Sequence, residues 1–178
     1  METRTVLSAS DIDRAVIRIA HEILESNHGT NDLVILGIPT RGAVLAKRIV
    51  DVITRNENVD EGSLLGQLDI TMYRDDLSLN PTRPVGVTHI PNGGVDGKVV
   101  VLVDDVLFSG RTIRAALDAL NDFGRPKAVR LAVLIDRGHR ELPIRADFVG
   151  KNLPTARDER IRVHLTESDE QNQVVIEA

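Results

Sequence analysis

The hydrophobic residues of this chain form short apolar runs that alternate with longer stretches of helical periodicity. Val99–Val103 and Leu33–Leu36 are fully apolar, as expected of strands that are covered on both faces in the middle of a parallel sheet. A third, mostly apolar run covers Ala128–Ile135. The first two runs lead through tight turns into helical patterns at Ile113–Leu120 and at about Ala43–Ile53. This order predicts an α/β fold, a mainly parallel sheet flanked by helices.

Weaker patterns predict further elements in the first half of the chain. Ser10 and Asp13 have the spacing of a capping box, and apolar residues then recur at helical spacing, which predicts a helix that begins at Ser10. Leu68, Ile70 and Met72 alternate with polar residues, which predicts a half-buried strand.

The stretch from Asn80 to Gly97 has no periodicity. Its eighteen residues include three prolines and four glycines, and so long an irregular segment in a compact domain is typically functional or disordered. A plain hairpin or flexible loop is one explanation, and a lid that closes over a reacting centre is the other. Short apolar pieces nearer the C-terminus predict small strands at 148–149, 161–163 and 173–176.

Composition limits the class of protein. A length of 178 residues predicts a single domain, 1–178, that buries most of its apolar surface. Only four residues are aromatic, so Val, Ile, Leu and Ala must build the core. The absence of cysteine excludes disulfides and thiolate metal sites. No apolar run approaches the ~20 residues of a membrane span and no secretion signal opens the chain, so we expect a cytoplasmic protein with no membrane partner.

The charge is unevenly distributed. The net charge of −5 argues against a generally adhesive nucleic-acid binder. Residues 125–162, however, contain ten Lys and Arg against five Asp and Glu, whereas residues 163–178 contain four acids and no Lys or Arg. The sequence is therefore compatible with a basic face on an acidic protein.

Candidate chemistry is concentrated where the run Val99–Val103 ends. The pair Asp104-Asp105 follows at once, and Ser109–Thr112 then forms a small-residue turn before a helix. Amides at a helix start lack intrahelical acceptors, and Gly110 allows close backbone approach, so this turn suits a phosphate. The two carboxylates would repel a phosphate, and we expect them to face ribose hydroxyls, alone or with Mg²⁺. The turn lacks the residues of a P-loop or a dinucleotide fingerprint, which disfavours ATP hydrolysis and hydride transfer.

A second turn of the same kind follows the run Leu33–Leu36. It reads Gly37-Ile38-Pro39-Thr40-Arg41-Gly42 and precedes a predicted helix. Glycine-flanked amides together with a guanidinium suit another phosphate group. The scattered histidines show no metal-ligand spacing, and no Ser–His–Asp arrangement is evident.

The strand, acidic pair and Ser-Gly-x-Thr turn resemble the signature for phosphoribosyl pyrophosphate (PRPP) in the phosphoribosyltransferases. The longer string from Asp136 to Asn152 resembles the pyrimidine operon regulators of the PyrR family, and this similarity extends over nearly the whole chain. The resemblance implies a type I phosphoribosyltransferase-like fold with a small hood subdomain, mainly about 137–163, and a flexible lid loop, about 73–97.

The same resemblance implies a function. Such proteins convert uracil and PRPP to UMP and pyrophosphate, with Mg²⁺ carried by PRPP and no metal held by the protein alone. They also regulate pyrimidine genes, because binding of UMP or UTP favours binding to pyr operon mRNA. A homodimer or higher homo-oligomer is implied as well.

Site residues are carried over from the resemblance. Four are expected to take part in catalysis: Asp104, Asp105, Arg74 and Arg83. The base is expected to contact Arg137 and the backbone near Ile161. PRPP or nucleotide contacts are expected at Thr40, Arg41, Asp104, Asp105, Val106, Leu107, Phe108, Ser109, Gly110, Arg111 and Thr112.

RNA contacts are expected on a basic face. Three residues of the predicted first helix share one of its faces at i, i+4 and i+7, and a plain solvated stripe would explain them equally well. Relatives of the PyrR family often have a basic residue where Pro39 stands here, and this departure weakens that part of an RNA surface. The predicted RNA-binding residues are Arg14, Arg18, His21, Arg145 and Lys151.

Two alternatives stay open. A purine-type phosphoribosyltransferase without an RNA-binding role would share the phosphate motifs. Purine-salvage relatives usually carry Asp where Phe108 stands, so Phe108 favours a pyrimidine. A response-regulator receiver would also place two acids at a strand end. It needs a separate phosphorylatable Asp and a nearby Lys, and it leaves the Ser-Gly turn unexplained.

Overall fold

The protein is described by a computed structural model covering residues 3–79 and 84–178. In chain order the strands are β1 (Thr3–Leu7), β2 (Leu33–Gly37), β3 (Leu65–Gln67), β4 (Val99–Leu107), β5 (Ala128–Asp136), β6 (Phe148–Asn152), β7 (Arg160–His164) and β8 (Gln173–Glu177). The helices are α1 (Ala9–Asn27), α2 (Arg41–Asn56), α3 (Glu61–Leu64) and α4 (Arg111–Leu120), with a 3-10 turn at Thr71–Tyr73.

The strands form two sheets. Five parallel strands make the main sheet in the order β3-β2-β4-β5-β6. The small sheet is antiparallel, with the order β1-β8-β7. The predicted α/β class is therefore confirmed, and the three long apolar runs are neighbours at the centre of the main sheet.

Among the helices of residues 3–79 and 84–178, none has both the length and the apolar character needed to span a membrane.

The apolar runs are uninterrupted because both faces of the main sheet are covered. Side chains of a strand point alternately to opposite faces. Val101 and Val103 of β4 accordingly pack with α1 and α2, whereas Val100 and Leu102 pack with α4 on the other face. The two apolar clusters hold the carboxyl ends of β2 and β4 side by side at one edge of the core.

Glycine brings the start of α2 into contact with the end of β4. A Cβ on Gly42 would lie 2.4 Å from the carbonyl oxygen of Val103 and 3.1 Å from the Cα of Asp104. The amide of Ile38 also donates to Val103 across 2.9 Å. The two turns singled out in the sequence are therefore adjacent in space.

The capping box predicted for the first helix, at Ser10 and Asp13, is wrong by two residues. α1 is capped by Ser8, whose hydroxyl accepts a hydrogen bond from the Asp11 amide, while the Asp11 carboxylate accepts one from the Ser8 amide across 2.8 Å. The Ser8 hydroxyl also donates to this carboxylate across 2.7 Å, and this bond, followed by the one from the Ser8 amide, lowers the pKa of Asp11 to about 2. The chain contains the same spacing at Ser10 and Asp13, and β1, which ends at the buried Leu7, selects the earlier pair.

The strand predicted from Leu68, Ile70 and Met72 is also wrong. The strand in this region is β3, and it ends at Gln67. Leu68 and Ile70 enter the core from irregular backbone that leaves the sheet, whereas Met72 is 61% exposed on the 3-10 turn. The alternation thus reflects two buried side chains and not a pleated strand. The predicted helix at 43–53 is found, longer by two residues at its start and three at its end, as α2.

The range expected for a hood is divided between the two sheets. β6 extends the main sheet through β5, while β7 joins the small sheet with β8 and β1. The range expected for a lid, about 73–97, is joined to β3 at His89, which exchanges two backbone hydrogen bonds of 2.9 Å with Gln67. Arg83, expected to be catalytic, lies outside the described residues.

Candidate active site

The β4–α4 loop, residues 108–110, leaves free amides at the start of a helix. Gly110 is the N-cap of α4, with φ 93° and no side-chain cap, and a Cβ there would approach Ile144 to 3.3 Å. Within residues 3–79 and 84–178, the amides of Ser109, Gly110 and Thr112 donate to no protein acceptor. Uncapped amides at the positive end of a helix bind anions, as the sequence predicts for this loop.

A later segment, residues 137–144, fixes the direction in which these amides point. In a planar trans peptide the carbonyl and the next amide point in opposite directions. Because the 137–144 segment binds three successive carbonyls on one side, the amides of residues 108–110 are turned to the other. The donors are Arg137 N to Leu107 O (3.1 Å), Arg140 Nη1 to Phe108 O (2.8 Å), and the amides of Glu141 (2.9 Å) and Leu142 (3.1 Å) to Ser109 O.

Arg140 is the side chain that joins this segment to the loop. Its Nη2 lies 2.5 Å from Asp136, and its Nε donates to the carbonyl of Ile144 across 2.8 Å. Sequence reasoning missed this role and counted Arg140 only as part of a basic stretch. The available signal was Asp136, four residues earlier at the end of a strand.

The acidic pair lies at the end of β4, next to the loop. Asp104 is 8% exposed, and Asp105 is half-buried. Burial, followed by the charge of Asp105, raises the pKa of Asp104 well above its ordinary value. Each carboxylate accepts the next amide along the chain, Asp104 from Asp105 (2.9 Å) and Asp105 from Val106 (2.8 Å). These bonds fix both side chains toward the same cavity.

The loop between β2 and α2 supplies a second helix start without a side-chain cap. Thr40 is the N-cap of α2 and makes no capping bond with its hydroxyl, and the Pro39–Thr40 peptide bond is cis. Arg41 pairs with Asp169 at 2.9 Å. A cavity of about 500 Å³ is lined by both loops, including Thr40, Arg41, Asp104, Asp105, Val106 and Thr112.

Arg74 connects this cavity to a second one. Its guanidinium donates to Asp76 at 2.8 and 3.0 Å, and these bonds, followed by the charges of Asp75 and Asp104, raise its pKa. The second cavity, of about 280 Å³, follows the β4–α4 loop and shares Arg74 and Asp104 with the first. Arg111 also lines this second cavity and forms ion pairs of 2.7 Å with Asp75 and with Glu141.

Phe108 and Arg137 stack beside the loop. The Arg137 guanidinium carbon lies 4.1 Å from the centre of the Phe108 ring, close enough for a cation–π attraction between the two side chains. Arg137 is 5% exposed and donates to Thr155 Oγ1 and to the carbonyl of Ala156, both at 3.0 Å. In β7, Ile161 pairs with Ile176 and its side chain packs against the apolar cluster on the α1 side, and the expected contact of its backbone with the base stays a prediction.

The predicted RNA-binding residues are partly engaged within the fold. Arg14 pairs with Asp11 at 2.5 Å. Arg18 donates to the carbonyls of Val149 (3.0 Å) and Gly150 in the edge strand β6, and it lies 3.5 Å from Glu22. These bonds bring Arg18 next to the exposed Lys151 on β6. His21 and Arg145 are exposed on α1 and before β6.

Another cavity, of about 480 Å³, lies at the edge of β3. Lys47, Glu61, Gln67 and His89 line it, and it contains none of the predicted catalytic or PRPP-binding residues. In the described part of the chain, no group of three or more His, Cys, Asp or Glu residues is arranged to hold a metal ion.

Comparison with known proteins agrees with this geometry. The family model for the phosphoribosyl transferase domain matches residues 3–167. Proteins named bifunctional protein PyrR are 66% identical in Leifsonia xyli (99% of this chain, 98% of the relative) and 60% identical in Streptomyces coelicolor (99% and 91%). A hypoxanthine-guanine phosphoribosyltransferase structure from Bacillus anthracis shares the fold, with a TM-score of 0.72 over 100% of this chain and 99% of that chain at 20% identity. The chain therefore belongs to the phosphoribosyltransferases and, within them, to the PyrR family.

Proposed function

We propose that the protein transfers a phosphoribosyl group from PRPP to uracil, forming UMP and pyrophosphate, and regulates pyrimidine genes by nucleotide-dependent binding to pyr mRNA. One observation carries the enzymatic part. Two uncapped helix starts, at Thr40 and Gly110, flank a carboxylate pair across adjoining cavities of about 500 and 280 Å³. A ligand with a phosphate at each end and a hydroxylated sugar between them matches this order of groups.

The residues act chiefly by positioning. The free amides and hydroxyls of the β4–α4 loop would hold the 5′-phosphate, and Asp104 and Asp105 would accept hydrogen bonds from the ribose hydroxyls. Breaking the bond between C1′ and pyrophosphate develops positive charge on the sugar and negative charge on the leaving group. The carboxylates favour the first charge, while Arg41 and Arg74 favour the second. Loss of either cation would slow departure of pyrophosphate.

Magnesium is expected to enter with PRPP. Mg²⁺ prefers oxygen ligands and usually retains substrate and water oxygens, and the carboxylates of Asp69, Asp104 and Asp105 line the same cavity. These donors fit a cation that arrives on the pyrophosphate, which it would neutralise as a Lewis acid. The protein contributes the accessible carboxylate of Asp105 and the two arginines around it.

The base would lie near Phe108 and Arg137. Phe108 is 39% exposed and offers an apolar face that exchanges no proton, which suits a pyrimidine better than a purine. The buried guanidinium of Arg137 can donate to a carbonyl oxygen of uracil. Its contacts with Thr155 and Ala156 hold that donor in place.

The regulatory role rests on family membership and on the basic residues around α1 and β6. Arg18 and Lys151 lie close together because Arg18 binds the carbonyl next to Lys151. RNA phosphates would contact Lys151, Arg145 and His21, while Arg18 also stabilises the edge of the sheet. Phosphate contacts of this kind make affinity fall steeply with salt concentration.

Two measurements test the proposal. Turnover with PRPP and Mg²⁺ is compared for uracil, hypoxanthine, guanine and orotate, and uracil is expected to be the preferred base. Preference for hypoxanthine or guanine would favour the purine-type alternative. Binding to a pyr mRNA stem-loop is then measured against salt, with and without UMP, and affinity that UMP leaves unchanged would remove the regulatory part.

A further inference from the structure

The β7–β8 loop, residues 165–172, is tied to α2 by two charged contacts. Arg41 at the start of α2 donates from Nη2 to both carboxylate oxygens of Asp169, at 2.9 and 3.2 Å. Two turns further on, Arg48 donates to Glu167 at 2.8 and 2.5 Å. The acidic end of the chain, which the function above leaves without a role, therefore reaches the cavity through Arg41.

Asp169 is itself held in place. Its carboxylate accepts the amide of Leu165 across 2.8 Å, and its own amide donates to the Leu165 carbonyl across 2.7 Å. His164 Nδ1 lies 3.6 Å from the same carboxylate. The Leu165 amide and then Arg41 lower the pKa of Asp169, so this carboxylate is charged at neutral pH and bound to a rigid turn.

Arg41 keeps part of its surface available beside the cavity, because its side chain is 35% exposed even when paired with Asp169. Its Nε is buried and has no hydrogen-bond partner within the described residues. Arg41 also lines the cavity, together with Thr40 and Asp104. An anionic oxygen that enters the cavity can contact the exposed part of the Arg41 side chain while Asp169 retains Nη2.

We infer that Asp169 is a positioning residue for the pyrophosphate end of the substrate and acts through Arg41. Free arginine side chains lose conformational entropy when they bind a ligand. Asp169 orders the Arg41 guanidinium before PRPP arrives, so less of that cost falls on binding. This inference rests on the proposed function and adds to it a residue 128 positions away from Arg41 in sequence.

The test compares Asp169→Asn with Glu167→Gln. Asp169→Asn is expected to raise KM for PRPP, and for pyrophosphate in the reverse reaction, by about tenfold, similar to the lower end of what a metal ligand loses with its orienting partner. KM for uracil and UMP should stay unchanged, and Asp169→Glu should restore part of the loss. Glu167→Gln removes the neighbouring contact between the same loop and helix, and it should leave every KM unchanged.

A double-mutant cycle separates action through Arg41 from general loosening of the loop. If Asp169 acts through Arg41, Asp169→Asn adds nothing to Arg41→Gln. An unchanged or lowered KM for pyrophosphate in Asp169→Asn overturns the inference, as does an equal effect from Glu167→Gln. Calorimetric binding of PRPP with Mg²⁺ is measured on the same variants. A wild-type protein that binds PRPP but forms no UMP would remove the proposed function and still report on Asp169.

Discussion

Asp104→Asn is expected to abolish UMP formation and to stabilise the ligand-free protein. Asparagine has nearly the volume of aspartate and keeps the oxygen that accepts the Asp105 amide at 2.9 Å. It removes a charge that is only 8% exposed and that lies beside a second carboxylate. The fold and its local hydrogen bond should survive, while the ribose loses a charged acceptor.

The sign of the effect follows from the raised pKa of Asp104, which burial and the Asp105 charge cause. Below the ordinary pKa of 3.8 Asp104 carries its proton in both the folded and the unfolded chain, and its ionisation has no net effect on stability. As the pH rises, the unfolded chain loses the proton first, so stability falls until the pH passes the folded-state pKa. The wild-type protein is therefore destabilised by this group at neutral pH.

The magnitude is about 1.4 kcal/mol for each unit by which the folded-state pKa is raised. Because that pKa is well above its ordinary value, we expect Asp104→Asn to be more stable than the wild type at pH 8. For a chain of this size the melting temperature rises by about 2–4 °C per kcal/mol. The gain should shrink toward zero at pH 4.

The assay is thermal unfolding without PRPP at pH 4 and pH 8, combined with turnover at pH 8. Asp13→Asn, an exposed carboxylate on α1, is the matched control and should melt like the wild type. A melting temperature that falls in Asp104→Asn at pH 8 would show that the charge stabilises the empty site, contrary to the electrostatic argument. Retained UMP formation would remove Asp104 from the ribose contact.

Three further predictions concern stability and RNA. Arg140→Met removes an ion pair whose side chains are 23% and 15% exposed. The expected loss in the free energy of unfolding is about 2–4 kcal/mol, below that of a fully buried pair, and KM for PRPP should rise. The control, Arg125→Met at an exposed position, should stay within about 0.5 kcal/mol of the wild type. Equal melting temperatures of the two variants would contradict this. Ser8→Ala should cost about 1 kcal/mol in thermal unfolding and Ser10→Ala almost nothing, and the reverse order would place the helix start at Ser10. Lys151→Ala should make the slope of log affinity for RNA against log salt concentration shallower by about one, without changing the melting temperature. An unaltered slope would remove Lys151 from the RNA surface.

Much of the site could be predicted because its groups are contiguous in the chain. Asp104, Asp105 and the turn to Thr112 follow one apolar run, and the turn at Thr40 and Arg41 follows another. Carboxyl ends of parallel strands meet at one edge of a sheet, so recognising the strands places both turns at that edge, and the pairing of β2 with β4 makes them adjacent. The roles assigned to these residues stay predictions, as do those of Arg74 and Arg137.

Errors arose where local patterns had two physical explanations. The spacing of Ser8 with Asp11 is repeated by Ser10 with Asp13, and only the end of β1 selects the first. The alternation at Leu68 and Ile70 arises from irregular backbone entering the core. Periodicity records which side chains are buried, and tertiary packing decides which backbone buries them.

The sequence by itself determined the apolar strands, the order of strand, turn and helix, and the chemistry at the strand ends, because each of these depends on neighbouring residues. Only the tertiary structure decided which distant groups orient that chemistry. Arg140 binds the carbonyl of Phe108 across 32 positions, and Asp169 holds Arg41 across 128. A long side chain can reach many partners, and the packing of the surrounding elements leaves one of them within hydrogen-bond distance.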